Sequence, residues 1–257
     1  MGRRVAQVSE WKRLLALARR RGQSPEAYRQ FQAQQGKMVL LRLEAQGVSI
    51  AGRRVLDVGC GLGGYTEALR ERGARVVAAD LSLRTLAGLP RIAPMVCADA
   101  LALPFADDAF DLVFCASLIE HVPDGAALLR EAWRVVRPGG YGYVSFPPFY
   151  SPRGGHQFAP FHLLGERVAV WMYRHTRARK VPAWQRGIVA DAATYGRAYH
   201  GFGLHRVTIA SARRWARRAG WDVVSLSTRF AAVNTARWPL LGEFLTWHAE
   251  FLLRKPA

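Results

Sequence analysis

Short apolar segments alternate with amphipathic segments along most of this 257-residue chain. The short segments are rich in β-branched and aromatic residues and have no helical period, which predicts buried β-strands. These predicted strands cover residues 54–58, 76–80, 95–98, 112–116, 141–146, 221–230 and 247–254. The segments at 65–72, 126–136 and 211–219 repeat apolar residues at helical spacing. This alternation predicts an α/β fold, with a doubly wound, mostly parallel sheet and helices on both faces.

Residues 1–50 precede the first strand and are predicted to be helical. A basic amphipathic helix ends near Gly22, and a second helix covers 25–46 with Ser24 as its N-cap. The apolar stripe of the first helix, expected to pack on the domain, consists of Trp11, Leu14, Leu15 and Ala18. We therefore predict an N-terminal helical cap over 1–50 and a main domain over 51–257.

A glycine-rich turn joins the first strand to the first helix of the main domain. Glycine can take positive φ and lie against a ligand, and the free N–H groups of the following helix then point at that ligand. Gly59, Gly61 and Gly64 match the spacing of dinucleotide-binding proteins. Asp57, which precedes them, fits the acidic pattern of S-adenosylmethionine enzymes equally well. The turn therefore predicts a nucleoside cofactor and leaves both classes open.

Asp80 ends the second predicted strand, where a nucleoside cofactor presents its ribose hydroxyls. A carboxylate only accepts hydrogen bonds, so it can receive both hydroxyls. This contact is common to both cofactor classes.

Further motifs separate the two classes. They are Met95-Val96-Cys97-Ala98-Asp99-Ala100, then Leu103-Pro104-Phe105, then the strand ending Phe114-Cys115-Ala116-Ser117, then Arg137-Pro138-Gly139-Gly140. In this order and spacing they resemble the class I S-adenosylmethionine-dependent methyltransferases, and more narrowly the small-molecule branch of methyltransferase type 11 that includes the ubiquinone and menaquinone methyltransferases. The resemblance covers residues 53–146, with a weaker similarity from 211 to the end. It implies S-adenosylmethionine as cofactor and a seven-stranded Rossmann-like sheet whose last strand lies antiparallel between its neighbours.

The resemblance also implies contacts at the carboxyl ends of the strands, where open α/β sheets bind ligands. Asp57 is implied to hold the loop and to help bind the methionine ammonium, although capping the glycine turn is an alternative role. Asp99 is implied to accept from the adenine amine, next to the Ala100 N–H. The main chain near Cys115 is implied to close the opposite side of the cofactor. The full set of predicted cofactor-binding residues is Asp57, Gly59, Gly61, Asp80, Leu81, Asp99, Ala100 and Cys115.

Residues 147–206 form an insert after the fifth strand that is rich in aromatic residues and histidine. Aromatic walls with a few polar groups are typical of organic-ligand sites, so we expect an acceptor-binding lid. The alternative is an accessory subdomain whose aromatic side chains only bury one another. Gly154 and Gly155 are interpreted as either a hinge for closure or a tight turn.

Methyl transfer depends mainly on in-line positioning in a site that excludes water. A hydroxyl acceptor also needs a base, and imidazole titrates in the right range. His156, just beyond the fifth strand, is the first candidate for a catalytic base, and His121, after the fourth strand, is the second. A carbon acceptor needs no such group.

The three cysteines show no metal-ligand spacing, and we expect no metal. They are predicted to be small core residues in a reducing compartment. No apolar run reaches the ~18 residues that cross a bilayer, and no secretory signal is visible. We therefore expect a cytoplasmic protein, with peripheral contact to a membrane left open.

The chain carries 37 Lys and Arg against 19 Asp and Glu, a formal charge of +18 that would attract any polyanion. Most of the basic residues are Arg and they are spread along the whole chain, a bias that GC-rich coding produces without selection for a partner. They concentrate at 19–21, 174–180 and 213–218. Solvated helix faces, an anionic membrane surface or substrate, and nucleic acid stay open, in that order of preference.

The predicted function is S-adenosylmethionine-dependent methylation of oxygen or carbon in a small or lipid-like organic acceptor. The stretch 238–245 and the aromatic insert are compatible with an acceptor presented at a membrane surface. An RNA methyltransferase is the main rival, followed by an NAD-dependent oxidoreductase and a non-catalytic nucleoside-binding module. An amino-methylating nucleic-acid enzyme is expected to show Pro-Pro after the fourth strand, where this chain has Ala116-Ser117-Leu118. The sequence predicts no oligomeric state.

Overall fold

The structure is a computed structural model that describes residues 2–88, 90–175, 203–229, 231 and 233–257. The chain divides into two compact units, Met1–Ala98 and Asp99–Ala257. The division at residue 50 that the sequence indicates stays a prediction.

The first unit contains two long helices followed by alternating strands and helices, as predicted. In chain order its elements are α1 (Gly2–Arg20), α2 (Pro25–Ala45), β1 (Arg54–Val58), α3 (Gly64–Glu71), β2 (Arg75–Asp80), α4 (Leu83–Ala87) and β3 (Met95–Cys97). Strand β2 pairs in parallel with β1 and with β3. Parallel pairing places the carboxyl ends of these strands at one edge, where β1 meets the glycine turn and β2 ends at Asp80.

Helix α2 packs tightly against α3 because glycine allows their backbones to approach. A Cβ added at Gly64 would lie 2.4 Å from the carbonyl oxygen of Arg29. The Ser24 side chain accepts from the backbone N–H of Ala27, which confirms the predicted N-cap. In α1, Leu14 is buried but Leu15 is 59% exposed, so the predicted packing of the whole apolar stripe is wrong for Leu15. Adjacent helical residues point about 100° apart, and only one of the two faces the protein.

The second unit continues the alternation and ends in two antiparallel pairings. Its elements are β4 (Phe110–Ala116), α5 (Gly125–Val135), β5 (Val136–Phe146), α6 (Glu166–His175), α7 (Ile209–Arg218), β6 (Asp222–Thr228), α8 (Leu241–Leu245) and β7 (Ala249–Arg254). Strands β4 and β5 are parallel, whereas β7 is antiparallel to both β5 and β6 and lies between them. The seven strands belong to one sheet in the order β3-β2-β1-β4-β5-β7-β6. This topology confirms the predicted mostly parallel, doubly wound fold with an antiparallel last strand.

The predicted Pro-Gly-Gly turn lies within β5 instead of preceding it. Gly139 has a φ of +72°, as predicted for the turn. The strand nevertheless starts at Val136, and its register against β4 shifts between Phe110 and Leu112. The turn is therefore an irregularity near the start of a strand that continues directly from α5.

Two of the three cysteines, Cys60 and Cys115, are buried as predicted. The prediction is wrong for Cys97, which is exposed. Cys97 ends β3, a three-residue strand at the edge of the sheet, and among the described strands β3 pairs with β2 alone. An edge strand is covered less completely than an inner one. None of the helices in the described part of the chain is both long enough and apolar enough to span a bilayer.

Candidate functional site

The glycine turn of the first unit adopts the conformation that its sequence predicts. Gly59, Gly61 and Gly63 have φ of +71°, +51° and +77°, a region that residues with a side chain rarely adopt. A Cβ added at Gly61 would meet no atom within 4 Å, so the backbone angle and not crowding requires glycine there. Gly63 is the N-cap of α3 and offers no side chain to the first N–H groups of that helix. This turn and the start of α3 together suit an anionic or polar ligand.

Asp80 fixes the turn from the end of β2. Its Oδ2 accepts from the Gly61 N–H at 2.9 Å and its Oδ1 accepts from the Ser82 N–H at 3.0 Å. A carboxylate oxygen accepts from hydroxyl groups as well as from N–H groups, so ribose hydroxyls are suitable donors to this side chain. Asp80 is half-buried and Leu81 is exposed. The arrangement fits the predicted nucleoside contact at both residues, which stays a prediction.

Asp57 ties β1 to α3. The Thr66 hydroxyl in α3 donates to Asp57 Oδ2 at 2.5 Å, and the Asp57 side chain is fully buried. Burial raises the pKa of Asp57 to about 7, the Thr66 hydrogen bond opposes that rise, and the charge of Asp80 adds to it. Asp57 therefore has a structural role in the turn, and its contact with the methionine ammonium stays a prediction.

The predicted adenine contacts lie at the start of the second unit. Asp99 is half-buried, and its Oδ1 accepts from the Leu101 N–H at 2.7 Å, which leaves Oδ2 for other donors. Ala100 is buried, as a small residue under a ring would be. Cys115 is fully buried in β4 opposite Val144 of β5, so its side chain belongs to the core. The roles of Asp99, Ala100 and the main chain at Cys115 stay predictions.

The two predicted bases come together in the second unit with Glu120, a residue that no sequence pattern marks as functional. Glu120 and His121 lie in a short 3-10 helix, Ile119–His121, that follows β4, and His156 opens another, His156–Phe158, after β5. The rings of His121 and His156 stack with centroids 5.0 Å apart and 11° between their planes. We call Glu120, His121 and His156 the His-Glu cluster.

Burial shifts the pKa of every member of the His-Glu cluster toward its neutral form. It raises the pKa of Glu120 to about 8, and the charge of Arg229 acts against that rise. It lowers the pKa of His121, with the hydrogen bond to Gly203 acting in the opposite direction. His156 is still 29% exposed, and the surrounding protein together with His121 lowers its pKa as well. Such convergent shifts are typical of functional sites.

The insert forms its own apolar cluster in its described part, which covers residues 147–175 and 203–206. Phe149, Phe158, Ala169, Val170 and Leu204 are buried together, with Tyr150, Phe161 and Tyr173 packed against them. Trp184, Tyr195, Tyr199, His200 and Phe202 lie outside the described residues. The aromatic residues of this cluster therefore bury one another, as the accessory-subdomain alternative requires, whereas Trp171 is 57% exposed. The lid stays a prediction.

The Gly154-Gly155 pair forms a tightly packed turn. A Cβ added at Gly154 would lie 2.1 Å from the Pro148 carbonyl oxygen, and one added at Gly155 would lie 2.2 Å from His162 Nδ1. The Gly154 N–H also donates to the Ser151 carbonyl at 3.0 Å. This packing explains both glycines without a hinge.

Comparisons with known proteins point to one family. Residues 56–144 match the family model described as a methyltransferase domain. A protein of Mycobacterium marinum named an uncharacterized methyltransferase is 32% identical over 224 residues, which cover 83% of this chain and 80% of that protein. A demethylmenaquinone methyltransferase of Corynebacterium urealyticum is 51% identical over 90 residues, which cover 35% of this chain and 39% of that enzyme.

The fold is also similar to that of a solved methyltransferase structure. The crystal structure of an S-adenosylmethionine-dependent methyltransferase from Mesorhizobium loti covers 90% of this chain and 100% of its own, with a TM-score of 0.56. Its sequence identity of 22% limits this likeness to the fold.

Proposed function

The chain belongs to the S-adenosylmethionine-dependent methyltransferases, and from that premise we propose that it methylates oxygen or carbon of an amphipathic, lipid-like organic acceptor. The cofactor supplies, when bound, a methyl group on a positively charged sulfur. The chain itself binds and positions the reactants, which is most of the catalytic work in such a displacement.

The residues of the first unit fit this cofactor. The glycine turn takes positive φ angles, and the absence of a Gly61 side chain leaves open space beside its backbone. Asp80 adds a carboxylate at the end of β2, a group that accepts from hydroxyls. Asp57 and Thr66 hold β1 and α3 in place beneath the turn. These features support S-adenosylmethionine binding through Asp57, Gly59, Gly61, Asp80 and Leu81.

The exposed apolar surface near the end of the chain is the observation that carries the acceptor proposal. Between residues 238 and 247, six large apolar side chains are exposed, and Leu240 reaches 84%. They are Trp238, Leu240, Leu241, Phe244, Leu245 and Trp247. We call residues 238–247 the apolar segment. Exposed apolar side chains concentrated in one stretch mark sites for ligands, membranes or protein partners.

Contacts connect the apolar segment to the insert. The Tyr150 ring lies 5.6 Å from the Phe244 ring, centroid to centroid, and the Arg153 guanidinium lies 4.8 Å from the centroid of Trp247. Cations beside exposed aromatic rings suit the boundary between lipid and water, where the ring enters the apolar phase and the charge stays near the headgroups. The combination favours an acceptor with an apolar body over a small polar metabolite.

The C. urealyticum relative bears on the same point through its name, which gives demethylmenaquinone as its acceptor. Its match covers about a third of this chain, so it supports a lipid-like acceptor class without identifying the acceptor. Contact with an anionic membrane surface would follow from the net charge of +18 and the apolar segment together.

Labelling with isotopic S-adenosylmethionine tests the proposal. Purified enzyme is incubated with native extract, which is then separated into lipid, water-soluble and RNA fractions. We expect label in the lipid fraction, and none with Asp80→Asn, which removes one of the two carboxylate oxygens that face donors. Label in RNA would contradict the acceptor class and establish the rival activity.

A second comparison isolates the apolar segment. Trp238→Ser combined with Leu241→Ser should lower the rate on acceptor held in vesicles while leaving the rate on detergent-dissolved acceptor near that of the unmodified enzyme. The control is Leu15→Ser, which replaces an equally exposed leucine on α1. Equal losses for both variants, or none for either, would remove the apolar segment from acceptor recognition.

A further inference from the structure

The His-Glu cluster places metal-binding atoms close together beyond the carboxyl ends of β4 and β5. One ligand atom from each of Glu120, His121 and His156 lies within 4.8 Å of the other two. Ligands of open α/β sheets bind at this edge. The cluster is therefore located where a group that contacts the acceptor would act.

The Glu120 carboxylate has no hydrogen-bond partner in the described part of the chain. The residue is 1% exposed, and both of its carboxylate oxygens are buried without a hydrogen-bond partner among the described residues. His156 Nε2 is the imidazole nitrogen that faces it, but it lies 3.9 Å from Oε1, beyond hydrogen-bond distance. A buried carboxylate without a partner is costly, so this arrangement requires a proton or a cation.

Arg229 does not fill that role. Its guanidinium donates to Glu250 Oε1 at 2.8 Å and to the hydroxyl groups of Tyr143 and Ser145, each at 2.7 Å. Its charge lowers the pKa of Glu120, but Glu120 accepts no hydrogen bond from it, and burial outweighs the effect of that charge. Arg229 therefore does not satisfy the Glu120 carboxylate oxygens.

His121 is oriented as metal-binding histidines are. Its Nδ1 lies 2.9 Å from the Gly203 carbonyl oxygen. A carbonyl only accepts, so Nδ1 carries the proton and the Nε2 lone pair is available as a ligand. Histidines that bind metals usually donate their other ring N–H to a carbonyl or carboxylate in this way.

The backbone of His156 holds its ring over His121 in an unusual conformation. Its φ is +47°, a region that residues with a side chain rarely adopt. Such strain persists where the surroundings fix the residue, and it concentrates at functional sites.

We propose that Glu120, His121 and His156 bind one divalent first-row transition metal ion. Two imidazoles and one carboxylate form a donor set that suits such ions and leaves coordination positions open for water or a substrate oxygen. Metal–ligand bonds of about 2.0–2.2 Å would bring the ligand atoms roughly 1 Å closer together than their present spacing.

The metal site favours methylation at one kind of atom of the acceptor, and this step rests on the proposed function. A hydroxyl oxygen bound at an open coordination position loses its proton to solvent more readily, because the ion stabilises the negative charge. Oxygen is then favoured over carbon as the methylated atom. His121 and His156 hold the ion in this scheme and do not act as bases.

Metal titration of the tag-free full-length protein tests the site. After chelator treatment and dialysis, the protein is titrated with Zn²⁺ by calorimetry and with Co²⁺ by visible absorption. We expect one ion per chain. Glu120→Gln and His156→Asn should each raise Kd by about 100-fold or more, because loss of a ligand exceeds the effect of outer contacts. Asn tolerates the left-handed backbone at position 156.

Folding controls keep this result interpretable. Zn²⁺ should raise the Tm of the unmodified protein and leave the Tm of both cluster variants unchanged, since a ligand stabilises only the state that binds it. Glu120→Gln replaces the buried carboxyl group by a neutral amide of nearly the same size and is expected to fold about as well as the unmodified protein without metal. His175→Gln, at the exposed end of α6, should bind metal like the unmodified protein.

No stoichiometric binding, or binding that both cluster variants retain, would overturn the proposal, since retained binding indicates an adventitious ion only. The titration uses neither acceptor nor cofactor, so its result is independent of the labelling experiment. A confirmed metal site combined with label on a carbon atom would overturn only the preference for oxygen.

Discussion

At the scale of single residues, the buried carboxylate of Asp57 links stability to pH. Its pKa rises from 3.8 to about 7 in the folded protein because burial disfavours the charged form. The folded state then holds the proton more tightly than the unfolded chain. The free energy of unfolding should fall as pH rises from about 4 to about 7, and this contribution is fully present only below that range.

Asp57→Asn cannot titrate and keeps an acceptor for the Thr66 hydroxyl. The free energy of unfolding of the unmodified protein, minus that of Asp57→Asn, should decrease across this pH range by up to about 4 kcal/mol. Urea unfolding of the cofactor-free proteins at several pH values measures it. A difference that stays constant with pH would show that Asp57 ionises normally in the folded protein.

The glycine turn gives a second prediction at this scale. Gly61→Ala forces an alanine to a φ of +51° without any clash, so it should lower the free energy of unfolding by about 1 kcal/mol. Gly165 has a φ of +96° and equally open surroundings in the insert, so Gly165→Ala is a control for backbone strain. Its ψ of 164° lies in a region that essentially only glycine adopts, so Gly165→Ala should lose at least as much stability, but only Gly61→Ala should weaken S-adenosylhomocysteine binding in calorimetry. Equal binding by both would separate the turn from the cofactor.

Residues whose roles depend on local chain geometry could be predicted from the sequence, whereas those that depend on burial could not. The positive φ of Gly61 and the position of Asp80 at the end of β2 follow from the sequence because a strand-to-helix turn and a strand end are local features, whereas their contacts with the cofactor stay predictions. Glu120 was missed because a carboxylate beside a histidine in a loop is usually solvated, and its burial arises from packing with residues distant in the chain. Imidazole chemistry marks His121 and His156 as separate candidates, but their stacking depends on the parallel register of β4 and β5.

At the scale of elements, periodicity placed the strands and helices well because each buries one face or one stripe. The start of β5 was missed because Pro138 and Gly139 are typical of a turn, and the pairing of flanking residues overrides that local preference. A buried polar network across β5 and β7 had no sequence signal at all. Tyr143 donates to Glu250 at 2.6 Å across 107 positions of the chain, and Arg229 donates to both.

This network predicts a large effect from a small substitution. Glu250→Gln leaves the Arg229 guanidinium buried without its counter-ion, and should cost about 3–5 kcal/mol of stability in urea unfolding. Arg229→Met should cost a similar amount for the converse reason. The double variant Arg229→Met with Glu250→Leu should lose much less than the sum, because neither charge is then left alone. Additive losses would show that the two charges do not interact.

At the scale of the whole molecule, the sequence composition gave the net charge but not where apolar residues stay exposed. The sequence marks residues 238–245 as compatible with a lipid-like acceptor, yet the exposure of the apolar segment is a property of the structure, since similar residues in β7 are buried. The predicted lid includes residues 176–202, which lie outside the described residues, and the lid as a whole stays a prediction. Charge and exposed apolar surface together lead to a prediction that neither makes alone.

The protein should bind anionic vesicles through two separable contributions. With a net charge of +18, binding to phosphatidylglycerol vesicles should weaken strongly as ionic strength rises from about 0.1 M to about 1 M, because the screening length falls from about 10 Å to about 3 Å. Trp238→Ser combined with Leu241→Ser keeps the net charge, so this double variant should weaken binding at every ionic strength. Loss of the buried area of one apolar side chain would weaken binding about tenfold. Leu15→Ser should bind like the unmodified protein. Co-sedimentation measures the binding of the unmodified protein, the double variant and Leu15→Ser. Binding that is equally strong on neutral and anionic vesicles and does not change with salt would show that the positive charge serves another partner.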